Sequence, residues 1–477
     1  MQFDVALIGA GVVGALTARE LSKYNIKVAV LEKQGDMAMG ATKANSSIVH
    51  SGLDAITGTL KAKLNVRGTQ LMQDLCEELD VLYKNNGSLV LAFSDDDLKT
   101  LEVLKKRGEV NGVKGLAILS KQELKQLEPQ ISDLAVGAIH APSSGIVCPY
   151  KLTIAAVENA VVNGAQFFRN CEVKSITDKD GVFILGTSQG DIKAKYVINA
   201  AGVYSGEIAK MAGDDSIKII VRHGDYYLLD KTAGSTVSHT IFQCPSKMGK
   251  GVLVSPTVDG NLIIGPTAKD IDEYFNTATT SEGLEYVLIT ARKSIPSLSP
   301  RSIITSFSGN RAHLEGDDFI IAPSKANGRL INAAGIESPG LSAAPAIAEY
   351  IEKIFTGLEK GLEIKADYNP KRPRGVHFAD LNSQQRKELI QKNPAYGRII
   401  CRCETITEGE IIDSIKAPAG AIDVDGVKRR TRAGMGRCQG GFCGSKVVEI
   451  LARELSIPIN EVTKFGGDSK IIYNKTK

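Results

Sequence analysis

The chain has 477 residues, more than one compact core requires, and this length predicts two or three domains. Its composition, 43% hydrophobic and 23% charged residues, is that of an ordinary globular protein. The net charge of +4 gives no overall field that favours nucleic acid, and no apolar run reaches the length of a membrane span. Met1 leads directly into a strand-like segment instead of a signal-type apolar core, so we expect a cytoplasmic protein.

The amino-terminal segment FDVALIGAGVVGALTARELSKYNIKVAVLEK predicts a strand, a glycine turn, a helix and a second strand. Gly9, Gly11 and Gly14 form G-x-G-x-x-G, which provides a tight turn, close approach of a pyrophosphate and helix-on-strand packing. Amides at the helix N-terminus then face the phosphates. Glu32 ends the second strand, where its carboxylate can accept hydrogen bonds from an adenosine ribose. This context predicts a dinucleotide site but does not separate FAD from NAD.

Two later segments repeat the pattern of a strand that runs into glycines. KYVINAAGVYSGEIA ends a strand in small residues that let a backbone approach a ligand. RLINAAGIESPGLSAAPAIAEYI predicts a strand, a glycine-rich turn and a helix that begins near Ser342. Three such junctions, far apart in the sequence, indicate one cofactor domain that is assembled from several segments.

Four of the eight cysteines lie beyond residue 400, as Cys401-x-Cys403 and Cys438-x4-Cys443. In a reducing cytoplasm such clusters are more often metal ligands or redox groups than disulfides. A capping box that begins at Thr407 predicts a helix shortly after the first pair, and Ser445 predicts another after the second pair. The amides of both helix N-termini would favour thiolate charge.

The alternatives to an iron-sulfur cluster at these four cysteines are zinc, a thiol redox pair and inert packing, although a single residue between Cys401 and Cys403 fits zinc knuckles poorly. The other four cysteines are expected to be small buried hydrophobes: Cys76, Cys148, Cys171 and Cys244. Two basic runs, residues 371–374 and 428–432, are interpreted as solvated surface.

Residues 1–365 resemble FAD-dependent oxidoreductases of the D-amino-acid oxidase type, especially the branch of glycerol-3-phosphate and L-2-hydroxyglutarate dehydrogenases. The resemblance is carried by the three strand-to-glycine segments quoted above and by three further segments, NSSIVH, VRHGDYYLLDK and SFSGNRAH. It implies an α/β fold, with a Rossmann-type FAD-binding domain and an inserted α+β substrate domain. We expect the FAD-binding domain at 1–84, 143–219 and 318–364, and the substrate-binding domain at 85–142 and 220–317, followed by a linker at 365–398.

The resemblance also implies which residues contact FAD. The first glycine motif and its acid hold the ADP half, and the helix after GIESPGLS points its N-terminus at the flavin pyrimidine. The expected cofactor-binding residues are Gly9, Gly11, Gly14, Glu32, Ser46, Ser47, Ala201, Gly202, Gly335, Gly340, Leu341 and Ser342.

Residues 399–477 resemble the small helical [2Fe-2S] domain of bacterioferritin-associated ferredoxin, which is also found appended to anaerobic glycerol-3-phosphate dehydrogenase subunits and amino-acid dehydrogenases. The resemblance implies that Cys401, Cys403, Cys438 and Cys443 ligate one cluster. Four residues separate the last two cysteines, as in the appended form, whereas the stand-alone ferredoxin has two.

In this family a hydride passes from a substrate carbon that bears a hydroxyl group to flavin N5, and a base takes the hydroxyl proton. The candidate bases are His50, His223 and Tyr226, with His50 first because NSSIVH passes beside the flavin in the family. Tyr227 and Leu228 have the simpler interpretation of core residues. Arg311 is expected to contact the substrate anion or the flavin.

The expected substrate is a small anionic secondary alcohol, either glycerol 3-phosphate or an L-2-hydroxy acid such as L-2-hydroxyglutarate. Asp54 and Glu337 stand where quinone-using glycerol-3-phosphate dehydrogenases carry cationic residues, which leaves both substrates open. An amino-acid dehydrogenase subunit, a flavin and iron-sulfur relay without a substrate, and a zinc-bearing nucleotide-binding scaffold are the alternatives. Electrons should leave through the cluster to an acceptor protein or a partner subunit, which could also provide peripheral membrane association.

Overall fold

The computed structural model describes residues 1–245 and 251–474. Its strands are β1 (Gln2–Ile8), β2 (Val28–Leu31), β3 (Ile48–Val49), β4 (Tyr83–Lys84), β5 (Ser88–Ala92), β6 (Ala117–Ser120), β7 (Gly137–Ala141), β8 (Gly145–Val147), β9 (Gln166–Phe168), β10 (Val173–Lys179), β11 (Val182–Thr187), β12 (Gly190–Asn199), β13 (Ile219–Leu229), β14 (Thr240–Gln243), β15 (Leu253–Pro256), β16 (Leu262–Gly265), β17 (Lys269–Ile271), β18 (Ile303–Leu314), β19 (Ile320–Pro323), β20 (Leu330–Ala334), β21 (Ile399–Cys401) and β22 (Ile406–Thr407). Its helices are α1 (Val12–Leu21), α2 (Leu60–Glu78), α3 (Asp95–Asn111), α4 (Lys121–Leu127), α5 (Pro149–Val162), α6 (Ser205–Met211), α7 (Ser281–Ser294), α8 (Gly340–Leu358), α9 (Ser383–Lys392), α10 (Glu408–Lys416), α11 (Val424–Thr431) and α12 (Gly444–Leu455).

The first large sheet has eight strands and is built around parallel pairs. β1 lies between β2 and β12, β9 extends the sheet beyond β2, and β20 pairs with the end of β12. The strands β1 and β2 are apolar runs because helices cover the sheet, and α1 packs against both α5 and α8. This is the predicted Rossmann-type arrangement, and the predicted strand, turn, helix and strand at the amino end are confirmed.

The second large sheet has nine strands, which come from residues 88–141 and 219–314. Most pairs are antiparallel, and the long strands β13 and β18 pair over their whole length. Their register places His223 opposite Asn310, and Arg222 opposite Arg311. Period-two alternation therefore sends these side chains to two different faces. The predicted domain boundaries stay a prediction, whereas the α/β fold class is confirmed.

The carboxyl-terminal region folds around a small core formed by α10, α11 and α12. The capping box of Thr407 and Glu410 opens α10 as predicted. The prediction that Ser445 opens the next helix is wrong, because α12 begins at Gly444 and Cys443 occupies the N-cap position. Likewise, α8 begins at Gly340, two residues before the predicted start.

The basic run at 428–432 is not solvated surface, and that prediction is wrong. Arg429 and Arg432 are buried, and their guanidinium groups pair with Asp36 and Asp259 of the larger part of the chain. The carboxylates that bind these arginines lie far away in sequence, so the basic run alone does not predict that its side chains are buried.

The structure also tests the predictions about the four scattered cysteines and about membrane spans. Cys76, Cys148 and Cys171 are buried as expected, while Cys244 is partly exposed. No helix within residues 1–245 and 251–474 combines the length and apolarity needed to cross a bilayer.

Candidate active site

A cleft of about 2020 Å³ is lined by residues of both large sheets. Twelve of the predicted site residues line it: Gly9, Gly11, Glu32, Ser46, His50, Ala201, Gly202, His223, Tyr226, Arg311, Gly340 and Leu341. The cleft thus joins the predicted cofactor residues to the predicted catalytic residues. Gly14, Ser47, Gly335 and Ser342 are not among its lining residues.

The glycine turn between β1 and α1 leaves no room for side chains. Gly9 has φ +100, and a Cβ there would lie 2.6 Å from the Ala200 carbonyl oxygen. A Cβ at Gly14 would lie 2.0 Å from the Gly9 carbonyl oxygen, so Gly14 serves helix-on-strand packing. The N-cap residue Gly11 has no side chain to cap α1, and the first amide of the helix, Val12 N–H, donates to Thr42 Oγ1 at 3.0 Å.

Glu32 lies at the end of β2 with 8% of its surface exposed. Its Oε2 accepts a hydrogen bond from the Ala10 N–H at 2.9 Å, and its Oε1 accepts one from the Gln34 N–H at 2.9 Å. Burial raises the pKa of Glu32 above its ordinary value, and the two N–H donors oppose that shift. Each oxygen retains acceptor capacity, which is what ribose hydroxyls require.

His50 follows β3 and is fixed through its backbone. Its N–H donates to Ser342 Oγ at 2.7 Å, and its carbonyl accepts from Thr69 Oγ1 at 2.7 Å. The ring lies 5.5 Å from the Phe242 ring, and Nε2 lies 3.5 Å from Ser338 Oγ. Ser342, predicted to bind cofactor, therefore connects α8 to His50.

Ser47 and Gly335, which were predicted to bind the cofactor but do not line the cleft, stabilise the turns around the cleft. Ser47 has φ +61, and its carbonyl accepts from the Val147 N–H at 3.0 Å, which ties β3 to β8. Gly335 has φ +69, and a Cβ there would fall 2.0 Å from Leu314 Cδ1. A larger residue at Gly335 would push the turn before α8 away from β18.

The candidate bases His223 and Tyr226 are both buried on β13. His223 Nδ1 lies 2.9 Å from Asn310 Oδ1, and its Nε2 lies 3.1 Å from Asp225 Oδ1. Both ring nitrogens therefore have a protein partner, Asn310 on one side and Asp225 on the other. Burial raises the pKa of Tyr226, against the opposing effects of Arg311 and Ser46, so its hydroxyl stays protonated. Tyr227 and Leu228 are partly exposed, and Tyr227 packs against the core of the second sheet.

Arg311 lies on β18 and is held by three backbone carbonyls. Its Nη2 donates to the Thr267 oxygen at 2.8 Å and to the His223 oxygen at 3.3 Å, and its Nε donates to the Arg222 oxygen at 3.3 Å. In the part of the chain that the structure describes, no carboxylate forms an ion pair with it. A guanidinium held in this way can receive an anion from the cleft.

Sequence reasoning missed the role of Lys61, which is buried in the wall of the same cleft. Its Nζ pairs with Asp317 and lies 3.1 Å from Glu337 Oε1. Glu337 also accepts from His313 Nδ1 at 2.8 Å. Lys61 is therefore shared between two carboxylates, those of Asp317 and Glu337. The segment GTLKAKL contained the signal, but the acidic partners of Lys61 come from much later in the chain.

The four predicted cluster ligands come together as two close pairs. Cys403 Sγ lies 3.6 Å from Cys438 Sγ, and Cys401 hydrogen-bonds Cys443. The bond from Cys443 and the N–H groups of Gly434 and Glu404 lower the pKa of Cys401 to about 6, although burial opposes them. Backbone N–H groups of the second loop likewise lower the pKa of Cys438. Two thiol pairs surrounded by amide donors fit the thiolate ligands of two irons.

The loop around these cysteines also requires small residues. A Cβ at Gly436 would lie 2.2 Å from Cys403 Cβ, so only glycine lets the two loops meet. Cys401 and Cys443 are buried, while Cys403 is exposed and Cys438 is partly exposed. One edge of the cluster site therefore faces solvent.

Comparison with known proteins agrees with both parts of this description. Residues 4–354 match the model of the family described as FAD dependent oxidoreductase, and residues 399–453 match the BFD-like [2Fe-2S] binding domain. The chain is 50% identical over 475 residues to the glycerol 3-phosphate dehydrogenase of Caloramator mitchellensis, covering 100% of this chain and 99% of that protein. It is 31% identical over 283 residues to human mitochondrial L-2-hydroxyglutarate dehydrogenase, covering 56% of this chain and 61% of that protein.

A solved structure shows the same likeness. The dithionite-reduced L-alpha-glycerophosphate oxidase of Mycoplasma pneumoniae, with FAD bound, matches with a TM-score of 0.76 and 30% identity, over 79% of this chain and 100% of that chain. The predicted cofactors, FAD and a [2Fe-2S] cluster, agree with these matches and with the cleft and thiol site described above. The chain therefore belongs to the family of FAD-dependent oxidoreductases and carries a [2Fe-2S]-binding domain at its carboxyl end.

Proposed function

We propose that the protein oxidises glycerol 3-phosphate to dihydroxyacetone phosphate and passes the electrons to a separate acceptor protein. The observation that carries this proposal is the 50% identity to a glycerol 3-phosphate dehydrogenase, which extends over the whole chain and includes the cluster domain. When bound, FAD accepts a hydride from the substrate carbon, and the cluster passes electrons on one at a time.

The cofactor sites follow from the cleft and from the two cysteine pairs. Gly9, Gly11 and Glu32 would hold the ADP half of FAD, and the uncapped start of α8 at Gly340 and Leu341 would face the flavin. Residues 85–142 and 220–317 would form the substrate domain over it. The four cysteines of the carboxyl-terminal domain would hold the cluster.

His50 is the base that the contacts favour. Both ring nitrogens of His223 already contact protein partners, Asn310 and Asp225, so neither is directed only at a substrate. Tyr226 would need a lowered pKa to act as a base, and burial raises it instead. His50 lines the cleft and is held rigidly by its backbone, so it would take the hydroxyl proton of the substrate.

Arg311 is the group that would bind the phosphate. It lines the cleft near Tyr226, and its hydrogen bonds go to carbonyl oxygens that leave its charge unneutralised. Glu337 is held away from Arg311 by its own contacts with Lys61 and His313.

The acceptor would dock where the cluster site meets solvent. Cys403 is exposed there, and Phe442, between the last two cysteines, is 86% exposed. Arg402 and Lys446 are exposed beside these residues. An apolar contact point with basic neighbours fits a small one-electron carrier protein with an acidic face. Transfer to such a carrier should therefore slow as ionic strength rises.

An anaerobic titration tests the substrate proposal. Glycerol 3-phosphate should bleach the flavin absorption, while L-2-hydroxyglutarate and a panel of amino acids should not. Arg311→Met should raise the KM for glycerol 3-phosphate by tenfold or more, because the variant loses the charge that would bind the phosphate. Bleaching by L-2-hydroxyglutarate alone would assign the protein to the hydroxy-acid branch, and bleaching by an amino acid alone would make it an amino-acid dehydrogenase.

A further inference from the structure

The carboxyl-terminal domain is fixed to the FAD-binding sheet by buried ion pairs. Arg429 Nη2 lies 2.6 Å from Asp36 Oδ2. Arg430 makes a bidentate contact with the same carboxylate, with Nη1 2.7 Å from Oδ2 and Nη2 3.0 Å from Oδ1. Asp36 is 1% exposed. Burial by itself would raise the pKa of Asp36, but the two arginines lower it to about 2, so the pair stays charged. The domain is therefore a docked part of the enzyme.

The docking point lies beside the adenosine end of the cleft. Asp36 follows Glu32 in the loop after β2, and Glu32 is the predicted ribose ligand. In the same loop, a side chain at Gly35 would touch Gly466 Cα at 3.5 Å. The carboxyl-terminal domain thus contacts the loop that surrounds the adenosine end.

Residues 463–470 form a tight turn at this contact. Thr463 pairs with Lys470, and the Phe465 N–H donates to Ser469 Oγ at 3.0 Å. The Asp425 N–H donates to the Lys464 carbonyl at 2.9 Å, which ties the turn to α11 and its arginines. The turn is therefore held by its own hydrogen bonds and by its bond to α11.

Phe465, at the tip of this turn, lines the same cleft as Glu32, Lys33 and Gln34. Its exposed fraction is 50%, so the ring is accessible in the wall of this cleft. It lies outside both segments that match the family models, 4–354 and 399–453.

We propose that the carboxyl-terminal domain forms one wall of the FAD site, with Phe465 in contact with the adenosine half of the cofactor. An aromatic side chain beside a purine stabilises it by contact with the ring face. FAD retention then depends on the docked iron-sulfur domain as well as on the Rossmann-type sheet.

The test is Phe465→Ala in the full chain, compared with the parent and with Phe442→Ala, which changes an exposed aromatic residue of the same domain. The dissociation constants of FAD and of ADP for the flavin-stripped protein are measured, together with iron and sulfide content. Phe465→Ala should weaken both ligands by about tenfold, which is the scale of a lost contact between an aromatic ring and a base. Phe442→Ala should weaken neither.

Unchanged affinities in Phe465→Ala would overturn the proposal, and so would weaker FAD binding with unchanged ADP binding. Hydrogen exchange in the parent provides a measurement that does not depend on a variant. ADP should slow exchange of the amides at 463–470, and equal exchange with and without ADP would contradict the proposed contact.

Discussion

At the scale of single residues, His50 shows how the fold positions a reactive side chain. Its backbone is held by Ser342 and Thr69, which belong to two helices, α8 and α2. These helices pack closely, because a Cβ at Gly68 would lie 2.1 Å from the Ser342 carbonyl oxygen. The ring is therefore presented to the cleft by a rigid support.

We expect His50→Ala to slow flavin reduction by substrate on the order of 10² to 10⁴-fold, the usual contribution of a general base. Reoxidation of flavin that has been reduced chemically should be unaffected, since that step removes no substrate proton. Stopped-flow absorption measures both rates, with His377→Ala, an exposed site in the linker, as the control. Equal reduction rates in parent and His50→Ala would transfer the role to His223 or Tyr226.

Gly436 provides a second prediction at this scale. Gly436→Ala places a methyl group 2.2 Å from Cys403 Cβ, so the two cysteine loops must separate and the protein should lose iron and acid-labile sulfide. Gly444→Ala is the matched control, because nothing lies within 4 Å of its added Cβ. Full iron content in Gly436→Ala would show that the loops can shift without losing the cluster.

Residue roles were predictable from the sequence where they depend on local geometry. Gly9, Gly11 and Glu32 belong to one short motif, and all three line the cleft. The bond between Ser342 and His50 joins positions 292 residues apart, and no local pattern encodes such a distance. The cofactor contact of Ser342 stays a prediction, and its bond to His50 is a second role that the sequence does not indicate.

At the scale of elements, α11 departs furthest from its expected role. A run of five residues with four charges suggested a solvated face, yet Arg430 reaches a carboxylate 394 positions earlier in the chain. Removing one partner of such a buried pair typically costs about 3–5 kcal/mol. A run of charged residues therefore predicts solvent exposure only where the tertiary fold brings no opposite charge next to it.

The cap of α11 gives a prediction for pH dependence. Asp423 is fully buried and accepts from the Gly426 N–H at 2.6 Å, but its Oδ2 has no hydrogen-bond partner. Burial raises the pKa of Asp423 from its ordinary value to about 6. Because the folded pKa exceeds the unfolded one, its contribution to stability is full below about pH 4 and is lost as pH rises through about 6.

Asp423→Asn keeps a good capping residue and removes the titration. The variant and the parent should therefore melt alike near pH 4, and the variant should be more stable by up to about 3 kcal/mol at pH 7. Thermal unfolding across this pH range measures the difference. A gap in melting temperature that does not change with pH would refute the assignment of this proton to Asp423.

At the scale of the whole molecule, the sequence predicted the fold class and the two cofactor sites, but not how the two parts meet. Repeated strand-to-glycine junctions and paired cysteines are local signals, and they identified the Rossmann-type sheet and the cluster site. Docking depends on Asp36, Asp259 and Asp230, which pair with arginines of the carboxyl-terminal domain. Each of these aspartates is unremarkable in its own segment, so only the folded chain identifies it.

We infer a division of labour in the protein, in which substrate oxidation takes place in the cleft and electrons leave through the cysteine site. The variant Cys438→Ser tests this division, because Cys438 is a proposed cluster ligand, whereas the buried docking pairs use Arg429, Arg430 and Arg432. The variant is mixed anaerobically with glycerol 3-phosphate, and the flavin absorption is followed, with iron content and reduction of a protein acceptor measured in parallel.

We expect Cys438→Ser to lose iron, to keep FAD and to show flavin bleaching at the parent's rate. It should reduce a small dye but fail to reduce a protein acceptor that depends on the cluster. If Cys438→Ser retains FAD and yet glycerol 3-phosphate no longer bleaches it, the cluster site takes part in substrate oxidation and the division of labour is contradicted.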